Sequence, residues 1–382
     1  MRKAIFWVHL ACGVVAGAIV LLMSVTGVLL TYERQMLAWS DRGPYRSPSA
    51  PSERPSVEAA LADKGLLLNG NIVVRADGRE PIEISRGREG ATYIEAGSGR
   101  VLGESKRGGL RGFFGTVVAW HRWLGAEGAG RQTGKAITGA CNLAFLGLVL
   151  TGAYLWLPRV WRWTAVRQVV LFRGGLSGKA RDFNWHNVLG IWCFLPLLVV
   201  VAGAVPISYT WASNLVYSIG GGKPPAPPAA PSKPPGGSAP SPVILAGVDR
   251  LLARAEAQVP GWQSITFRIP PNPATPIVFT IDEGNGGQPQ KRGTLTLDRT
   301  TAEVVRWEPF SSLDAGRQIR MWLRFLHTGE ALGIAGQTIA GIASAGAVVL
   351  VYTGIALSLR RFAAWRRRRT TAGSHEPAAA VR

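Results

Sequence analysis

The chain has 382 residues, a net charge of +20, and a composition in which 47% of the residues are hydrophobic. Length alone would allow two or three soluble domains, but four stretches exceed the roughly 20 apolar residues that cross a bilayer. These stretches are 4–32, 136–160, 184–222 and 331–359, and Arg159 is the one Asp, Glu, Lys or Arg residue within them. The composition therefore excludes an ordinary soluble protein.

The first apolar stretch, 4–32, follows a Met-Arg-Lys start. It is longer than the apolar part of a typical secretion signal, so we interpret it as an uncleaved anchor. Lys and Arg in short loops mark the cytoplasmic side of a membrane. They are concentrated at Arg2 and Lys3, in 159–181, and in the tail 360–382. This distribution predicts a multi-pass membrane protein with both termini in the cytoplasm.

One succession of segments occurs twice along the chain: an apolar helix, an outer module, an interfacial helix and a second apolar helix. In the first copy these four segments are predicted at 1–32, 33–110, 111–130 and 131–160, and in the second copy at 184–218, 243–316, 317–332 and 333–359. A cytoplasmic loop at 161–183 joins the two copies. A Pro- and Gly-rich linker at 219–242 precedes the second module, and a basic cytoplasmic tail follows at 360–382. Both copies start on the same side, so an axis along the membrane normal would relate them.

Each outer module is predicted to be a small α+β unit. A helical pattern at 57–64 precedes the strand-like NIVVRA, PIEIS and TYIEAGSGRVLG, and one at 243–259 precedes SITFRI, PIVFTID and GTLTLDRTTAEVVRW. Short alternating runs separated by Gly- or Asp-containing turns are typical of antiparallel strands. The predicted fold is therefore a membrane α-helical bundle of four transmembrane helices, built from two helix–module–helix repeats with two small α+β modules on the outer side.

Four of the five histidines occupy equivalent positions in the two copies. His9 and His186 lie near the inner ends of the first and third helices, whereas His121 and His327 lie near the outer ends of the even helices. The fifth, His375, lies in the polar tail and is interpreted as solvated. The repeat predicts that the members of each pair face one another, one pair at each side of the membrane.

Two facing imidazoles at two depths of an apolar bundle match the axial ligation of haem iron. Gly13, Gly125 and Gly190 each follow a histidine by four residues. On a continuing helix this spacing puts the glycine on the face of the ligand, where it leaves room for a tetrapyrrole. His327 departs from the spacing, so the local geometry at this histidine is the least defined of the four.

The carboxylates of a haem group need cationic partners. Arg122 and Arg324 are the candidates beside the outer pair. Further Lys and Arg residues lie near one pair or the other, namely Arg131 and Arg320 on the outer side and Arg2, Lys3, Lys179 and Arg181 on the inner side.

Other chemistries remain open for these histidines. A single histidine at a membrane edge is usually structural, although four in register favour ligation of a cofactor. Zinc would need more ligands, and no carboxylate or thiolate accompanies either pair at ligand spacing. Glu330, close behind His327, would suit a proton relay, but the inner pair has no matching acid.

The motifs HRWLG at 121–125 and LHTGEALG at 326–333, the Thr-Gly pairs near helix ends and the paired modules resemble the PepSY-associated transmembrane family of bacterial iron-regulated membrane proteins. The resemblance extends from His9 to about Leu359, and the size and plan are most similar to di-haem ferric-siderophore reductases of the ferrioxamine type. It implies two b-type haems with bis-His ligation, an inner one at His9 and His186 and an outer one at His121 and His327. The resemblance also implies a location in the bacterial inner membrane with the PepSY-like modules in the periplasm. Such a protein passes electrons across that membrane and reduces Fe(III) in a periplasmic siderophore.

Two other functions are compatible with the sequence. One is a transporter that carries the intact siderophore inward, and the other is a non-catalytic membrane protein whose PepSY-like modules bind a partner. The partners expected for the reductase are a ferric siderophore and an electron donor, either cytoplasmic or a quinol. The basic tail beside a membrane exit predicts contact with lipid and not with nucleic acid.

Overall fold

The computed structural model describes residues 1–48, 56–62, 70–105, 108–158, 161–224 and 245–373, without the side chains of 88 and 370–373. The regular structure of these residues includes twelve α-helices and one sheet of eight strands. The helices are α1 Arg2–Leu30, α2 Glu33–Arg42, α3 Val57–Leu61, α4 Gly109–Trp123, α5 Gly130–Trp156, α6 Trp163–Val170, α7 Gly178–Trp192, α8 Phe194–Ser208, α9 Thr210–Ile219, α10 Val248–Gln258, α11 Ala315–His327 and α12 Gly333–Gly373. The strands are β1 Asn71–Arg75, β2 Ile82–Ser85, β3 Ala91–Ile94, β4 Val101–Ser105, β5 Ser264–Phe267, β6 Ile277–Asp282, β7 Arg292–Leu297 and β8 Val304–Pro309. His375 and most of the predicted linker lie outside the described residues.

The long helices form a bundle that is suited to a membrane. Within the described residues, α1, α5 and the helical stretch Glu330–Arg369 are each long and apolar enough to cross a bilayer. The pair α7 and α8 passes the same test together, although the two helices are bent by 67°. Helix α1 packs against α5 and α12, and α7 packs against α12. These observations confirm the predicted class of helical membrane protein.

The predicted third helix, 184–218, is divided in the structure. The chain bends at Cys193, between α7 and α8, and α9 begins beyond Tyr209. Pro196 lies in the first turn of α8, where a proline is tolerated, and it lacks the N–H that would bond to the carbonyl of Trp192. The continuous hydrogen-bond ladder assumed from hydropathy therefore cannot form across this point.

Helix α12 is longer than the predicted fourth span. Its 41 residues, Gly333–Gly373, run beyond Leu359 through the basic segment. At 1.5 Å per residue the helix measures about 60 Å, against about 30 Å for the hydrocarbon core of a bilayer. We call the bundle end that contains Arg2 and Arg360 the basic end, and the end that contains Leu30 and Gly333 the sheet end.

The two outer modules share a single antiparallel sheet with strand order β4-β3-β2-β1-β5-β6-β7-β8. The halves meet where β1 pairs with β5, in a register that sets Ile72 opposite Phe267 and Arg75 opposite Ser264. Sequence patterning predicted two separate modules, because it could not show which edges pair. An unpaired β1 or β5 would expose a row of backbone N–H and C=O groups, and their pairing satisfies both edges.

The helices of the two modules cap one another. The Asp249 carboxylate on α10 accepts hydrogen bonds from the backbone N–H groups of Val57 and Glu58, at 2.8 and 3.2 Å. In return, the Glu58 carboxylate accepts from the N–H of Gly247 at 3.1 Å. Caps of this kind stabilise a helix by about 1 kcal/mol. Together with the shared apolar core, they make the sheet with its two helices one unit.

The β6–β7 loop connects the sheet to the bundle. Arg34 donates to the carbonyl of Asn285 at 2.7 Å and forms an ion pair with Glu330 at 2.9 Å. Gly286 has a φ of +81°, and a Cβ on Gly287 would lie 2.6 Å from that of Glu330. The glycines of this loop therefore permit its close approach to the bundle.

Candidate functional site

The four histidines of the repeat form two pairs. The rings of His9 on α1 and His186 on α7 lie with their centroids 6.4 Å apart and their planes at 89°. The rings of His121 on α4 and His327 at the end of α11 lie 6.3 Å apart with their planes at 46°. We call these the basic-end pair and the sheet-end pair. Each contains one histidine from each repeat, as the sequence predicted.

Three of the imidazoles bond to threonines of Thr-Gly motifs. His9 Nδ1 lies 2.9 Å from Thr151 Oγ1. His186 Nδ1 lies 3.0 Å from Thr353 Oγ1, and His121 Nδ1 lies 2.9 Å from Thr26 Oγ1. The repeated Thr-Gly dipeptide is visible in the sequence, but the role of its hydroxyls is not.

The direction of these bonds follows from a second contact of each hydroxyl. Thr26, Thr151 and Thr353 each lie within 2.6 to 2.8 Å of the carbonyl four residues earlier in their helix. A hydroxyl has one proton, and a carbonyl can only accept. The threonine proton is therefore committed to the backbone, and Oγ1 accepts from Nδ1–H. In the neutral imidazole this leaves Nε2 as the nitrogen with the free lone pair.

The fourth imidazole has a different partner. His327 Nδ1 lies 2.8 Å from the backbone carbonyl of Val200 on α8. The position equivalent to threonine in this copy is Ala202, which has no hydroxyl. Because a carbonyl cannot donate, His327 is also protonated on Nδ1, and all four imidazoles have the same tautomer.

The glycines of the Thr-Gly motifs make room for the rings. A Cβ added to Gly152 would lie 3.3 Å from His9 Cε1, and one on Gly354 would lie 3.4 Å from His186 Cε1. A Cβ on Gly27 would lie 3.8 Å from His121 Cε1. Threonine therefore supplies the acceptor, while the following glycine lets the ring reach it.

The two pairs lie at different depths of the bundle. From residue 9 to residue 26 on α1 there are 17 helical steps, a rise of about 25 Å. On α5, the nine steps from Asn142, which lines the cavity at the sheet end, to Thr151 correspond to about 14 Å. An apolar cluster lies between the levels and comprises Cys193, Leu197, Ala343 and Ala347 with Phe145, Val149, Leu189 and Leu350 packed against them.

A cavity of about 260 Å³ opens beside the sheet-end pair. Both His121 and His327 line it, and its apolar depth includes Phe145 and Leu197. Arg122 and Arg324, the two arginines predicted beside this pair, also line the cavity. Arg122 stacks at 5.0 Å over the Trp123 ring, and Arg324 at 5.5 Å over the Phe325 ring. The cavity therefore combines apolar walls, two imidazoles and cationic groups.

The three glycines predicted from the four-residue spacing differ in their positions. Gly13 and Gly190 lie one turn beyond His9 and His186, and a Cβ there would only touch Leu148 or Leu350, at 3.8 and 3.9 Å. Gly125 does not lie on a helical face beyond His121, because α4 ends at Trp123 and Gly125 has a φ of +74°. The helix ends in the left-handed conformation at Leu124, which has a φ of +55°, and Gly125 continues the turn, so the helical spacing assumed from the sequence was wrong at this position.

A buried ion cluster lies beside the basic-end pair and includes Arg181, one of the cations predicted on this side. Asp182, which is fully buried, accepts from Arg181 at 2.9 Å and pairs with Arg360 of α12 at 2.9 Å. Asp182 lies one helical turn before His186 on the same face of α7. Its signal in the sequence is that it is the only acid near a strongly basic segment.

The two ring centroids of each pair lie 6.3 to 6.4 Å apart, and Nε2 is the lone-pair nitrogen of each ring. Each pair would therefore supply two imidazole ligands to one metal held between the rings. The described residues contain no group of three or more His, Cys, Asp or Glu side chains placed to hold a metal ion. The arrangement thus offers two ligands per site and fits a metal that brings its own equatorial ligands.

These features define a helical membrane protein with an attached antiparallel sheet and two histidine pairs within its bundle. The chain belongs to the PepSY-associated TM family, since the family model described as the PepSY-associated TM region matches residues 6–361. The matched range contains all four paired histidines and both halves of the sheet. Comparison with curated proteins gives no match.

Proposed function

We propose that this protein is a di-haem electron-transfer protein of the bacterial inner membrane that reduces Fe(III) in siderophore complexes at the periplasmic face. One b-type haem would be held by His9 and His186 and the other by His121 and His327. The observation that carries the proposal is the pair of facing imidazoles found twice, with Nδ1 occupied and Nε2 left as the lone-pair nitrogen.

Three features support the haem groups: the first applies to both pairs, the second to the sheet-end pair, and the third to the space between the pairs. The imidazole tautomers and ring separations suit axial ligation. Arg122 and Arg324 at the cavity beside the sheet-end pair would bind the carboxylates of the group through charge-assisted hydrogen bonds. The apolar cluster between the two pairs limits the access of water. When bound, haem iron supplies a reversible one-electron couple whose potential depends on its axial ligands and surroundings.

The orientation follows from the charge distribution. Arg2, Lys3 and Arg360 lie at the basic end, which we assign to the cytoplasm by the positive-inside rule. The sheet and the cavity beside His121 and His327 would then face the periplasm. An electron donor, either a cytoplasmic protein or a quinol, would serve the basic end.

Reduction suits the chemistry of the substrate. Each one-electron reduction converts a ferric siderophore to its ferrous complex. Hard hydroxamate oxygens hold the harder Fe(III) more tightly, so the iron is released as Fe(II). The substrate would bind near the cavity mouth, where both halves of the repeat contribute side chains.

The test is to purify the full chain in detergent, measure its visible spectrum and determine the ratio of haem to protein. We expect two haems per chain with six-coordinate spectra. The dithionite-reduced protein should be reoxidised by ferrioxamine with release of Fe(II) to a chromogenic chelator. A chain that remains colourless when haem is supplied would overturn the proposal.

A second measurement separates the reductase from the alternatives. Proteoliposomes that take up intact ferrioxamine without any reoxidation of the protein would indicate a transporter. A haem-loaded protein that neither reduces nor transports the chelate would overturn the assigned reaction while leaving the haem sites intact.

A further inference from the structure

Each repeat of the chain orients its own two histidines, and each pair then forms between the repeats. In the first copy, Thr151 bonds to His9 and Thr26 bonds to His121. In the second copy, Thr353 bonds to His186 in the same manner. All three threonines precede a glycine and bond back to their own helix. Three independent recurrences of one geometry indicate that it serves the histidines and does not only fill space.

The fourth position shows what replaces the threonine. A Cβ on Gly203 would lie 2.7 Å from the carbonyl oxygen of Leu323 and 3.2 Å from His327 Cβ. Helix α11 therefore packs directly on α8 at this glycine, which brings the imidazole to the backbone carbonyl of Val200. The same nitrogen is held at the same kind of distance without a side-chain acceptor.

We infer that Thr26, Thr151 and Thr353 are positioning residues that fix the tautomer and the basicity of three metal-ligating imidazoles, and that a backbone carbonyl performs this task for His327. The inference rests on the proposed function, because it concerns the axial ligands of the two haem sites. Acceptors on the second nitrogen of a ligating imidazole orient the ring and raise its basicity.

The inference predicts unequal sensitivity of the two centres. Both ligands of the basic-end pair depend on a threonine, whereas only His121 of the sheet-end pair does. A more basic imidazole favours Fe(III) over Fe(II), so losing the acceptor raises the midpoint potential. Removal of such partners typically changes metal affinity 10- to 100-fold, and a tenfold change in the preference for Fe(III) equals about 59 mV for one electron.

The experiment measures each centre alone. In the His121→Ala background, which retains the basic-end pair, Thr151→Val and Thr353→Val should each raise the midpoint potential by about 59 mV for a tenfold effect. The double variant should show about twice that shift. In the His9→Ala background, Thr26→Val should shift the sheet-end centre in the same direction. Thr→Ser at each site should restore the original potential, because serine keeps the hydroxyl.

Thr116→Val is the matched control. Thr116 also bonds back to a helical carbonyl, that of Gly112 at 3.1 Å, but it is exposed on α4 and contacts no paired histidine. It should leave both potentials unchanged. If a valine variant is isolated without haem, titration of haem into the apoprotein should show at least tenfold weaker binding than for the serine variant.

The possible outcomes distinguish this inference from the function on which it rests. A parent protein without haem would sink the proposed function. A haem-loaded parent whose valine variants keep the same potential and haem affinity would overturn the inference alone. Failure of serine to restore either property would also overturn it, since packing and not the hydroxyl would then be responsible.

Discussion

The basic-end pair and the sheet-end pair share a ligand geometry but differ in their surroundings. The distance between the two ring centroids is 6.4 Å in the basic-end pair and 6.3 Å in the sheet-end pair. The basic-end pair is carried by α1 and α7 and has the ion cluster of Asp182 beside it. The sheet-end pair is carried by α4 and α11 and opens to a cavity that arginines also line. The two sites therefore have the same pair of ligands, while neighbouring elements give each site different surroundings.

The largest effect is expected from removing a ligand. His9→Ala should abolish the basic-end centre and His121→Ala the sheet-end centre, so that each lowers the haem-to-protein ratio from two to one. The reason is that a single remaining imidazole leaves one axial position open. His375→Ala, in the tail outside the matched range, is the control and should retain both haems. Loss of both centres from one substitution would contradict the independence of the pairs.

Crowding the rings should distinguish the two ends. A side chain at Gly152 would start 3.3 Å from His9, whereas one at Gly27 would start 3.8 Å from His121. Gly152→Ala should therefore weaken haem binding at the basic-end pair by about tenfold, which is the lower end of the effects reported for displaced ligand supports. Gly27→Ala should have a smaller effect on the sheet-end pair.

Haem titration of the apoproteins measures both effects. Gly147→Ala on the same helix as Gly152 is the control, because a Cβ there meets no atom within 4 Å. Equal weakening by Gly147→Ala and Gly152→Ala would show that the helix itself, and not the contact with His9, is responsible.

Disruption of the ion cluster should affect the basic end only. Asp182→Ala leaves Arg181 and Arg360 close together without the carboxylate between them. Their side chains are 38% and 44% exposed, so water can solvate part of their charge after the substitution. We therefore expect the free energy of unfolding to fall by about 1.5 to 3 kcal/mol, which is typical for the loss of a hydrogen bond to a charged group. Denaturant unfolding in detergent measures the loss, and redox titration should show an unchanged potential at the sheet-end centre. A shift at that centre would contradict the separation of the two sites.

The smallest effect is expected at the contact between the loop and the bundle. Glu330→Gln removes the ion pair with Arg34, whose side chain is 43% exposed. Exposed pairs contribute about 0.2 to 1 kcal/mol and weaken with salt, so the loss should shrink as salt is added. Unfolding at low and high salt measures it. Glu308→Gln, which removes a pair with Arg306 on β8, is the control for a carboxylate away from the cavity. A salt-independent loss would indicate that Glu330 acts through packing.

Much of the fold was predictable because its signals are local. All eight strands overlap the segments identified by alternation and exceed them by at most two residues. The two helices predicted to be interfacial, α4 and α11, each precede an apolar span, as their Trp and Arg content indicated. Gly125 shows the limit of spacing arguments, since the turn after Trp123 is decided by the helix end and not by the count of residues. Uniform hydropathy does not show the bend at Cys193, whereas Pro196, in the first turn of α8, indicates a kink there.

The partners of the histidines were beyond the reach of the sequence. Thr26 and Thr151 are far from the residues that they hold along the chain, and only the packing of helices brings them to His121 and His9. The repeated Thr-Gly motif was visible, yet its meaning depends on which helix lies opposite. The carbonyl of Val200 has no sequence signal at all, because every residue has one.

The sequence by itself determined the apolar spans, the strands and the equivalence of the four histidines, since these depend on hydropathy, alternation and repetition along the chain. The tertiary structure alone decided that β1 pairs with β5 and that each imidazole is held through Nδ1. Both are contacts between segments that are distant in the sequence. A strand edge can pair with many other strands, and a hydroxyl can bond to many donors, so the sequence does not show which partner is used. Helix and strand packing selects one partner for each.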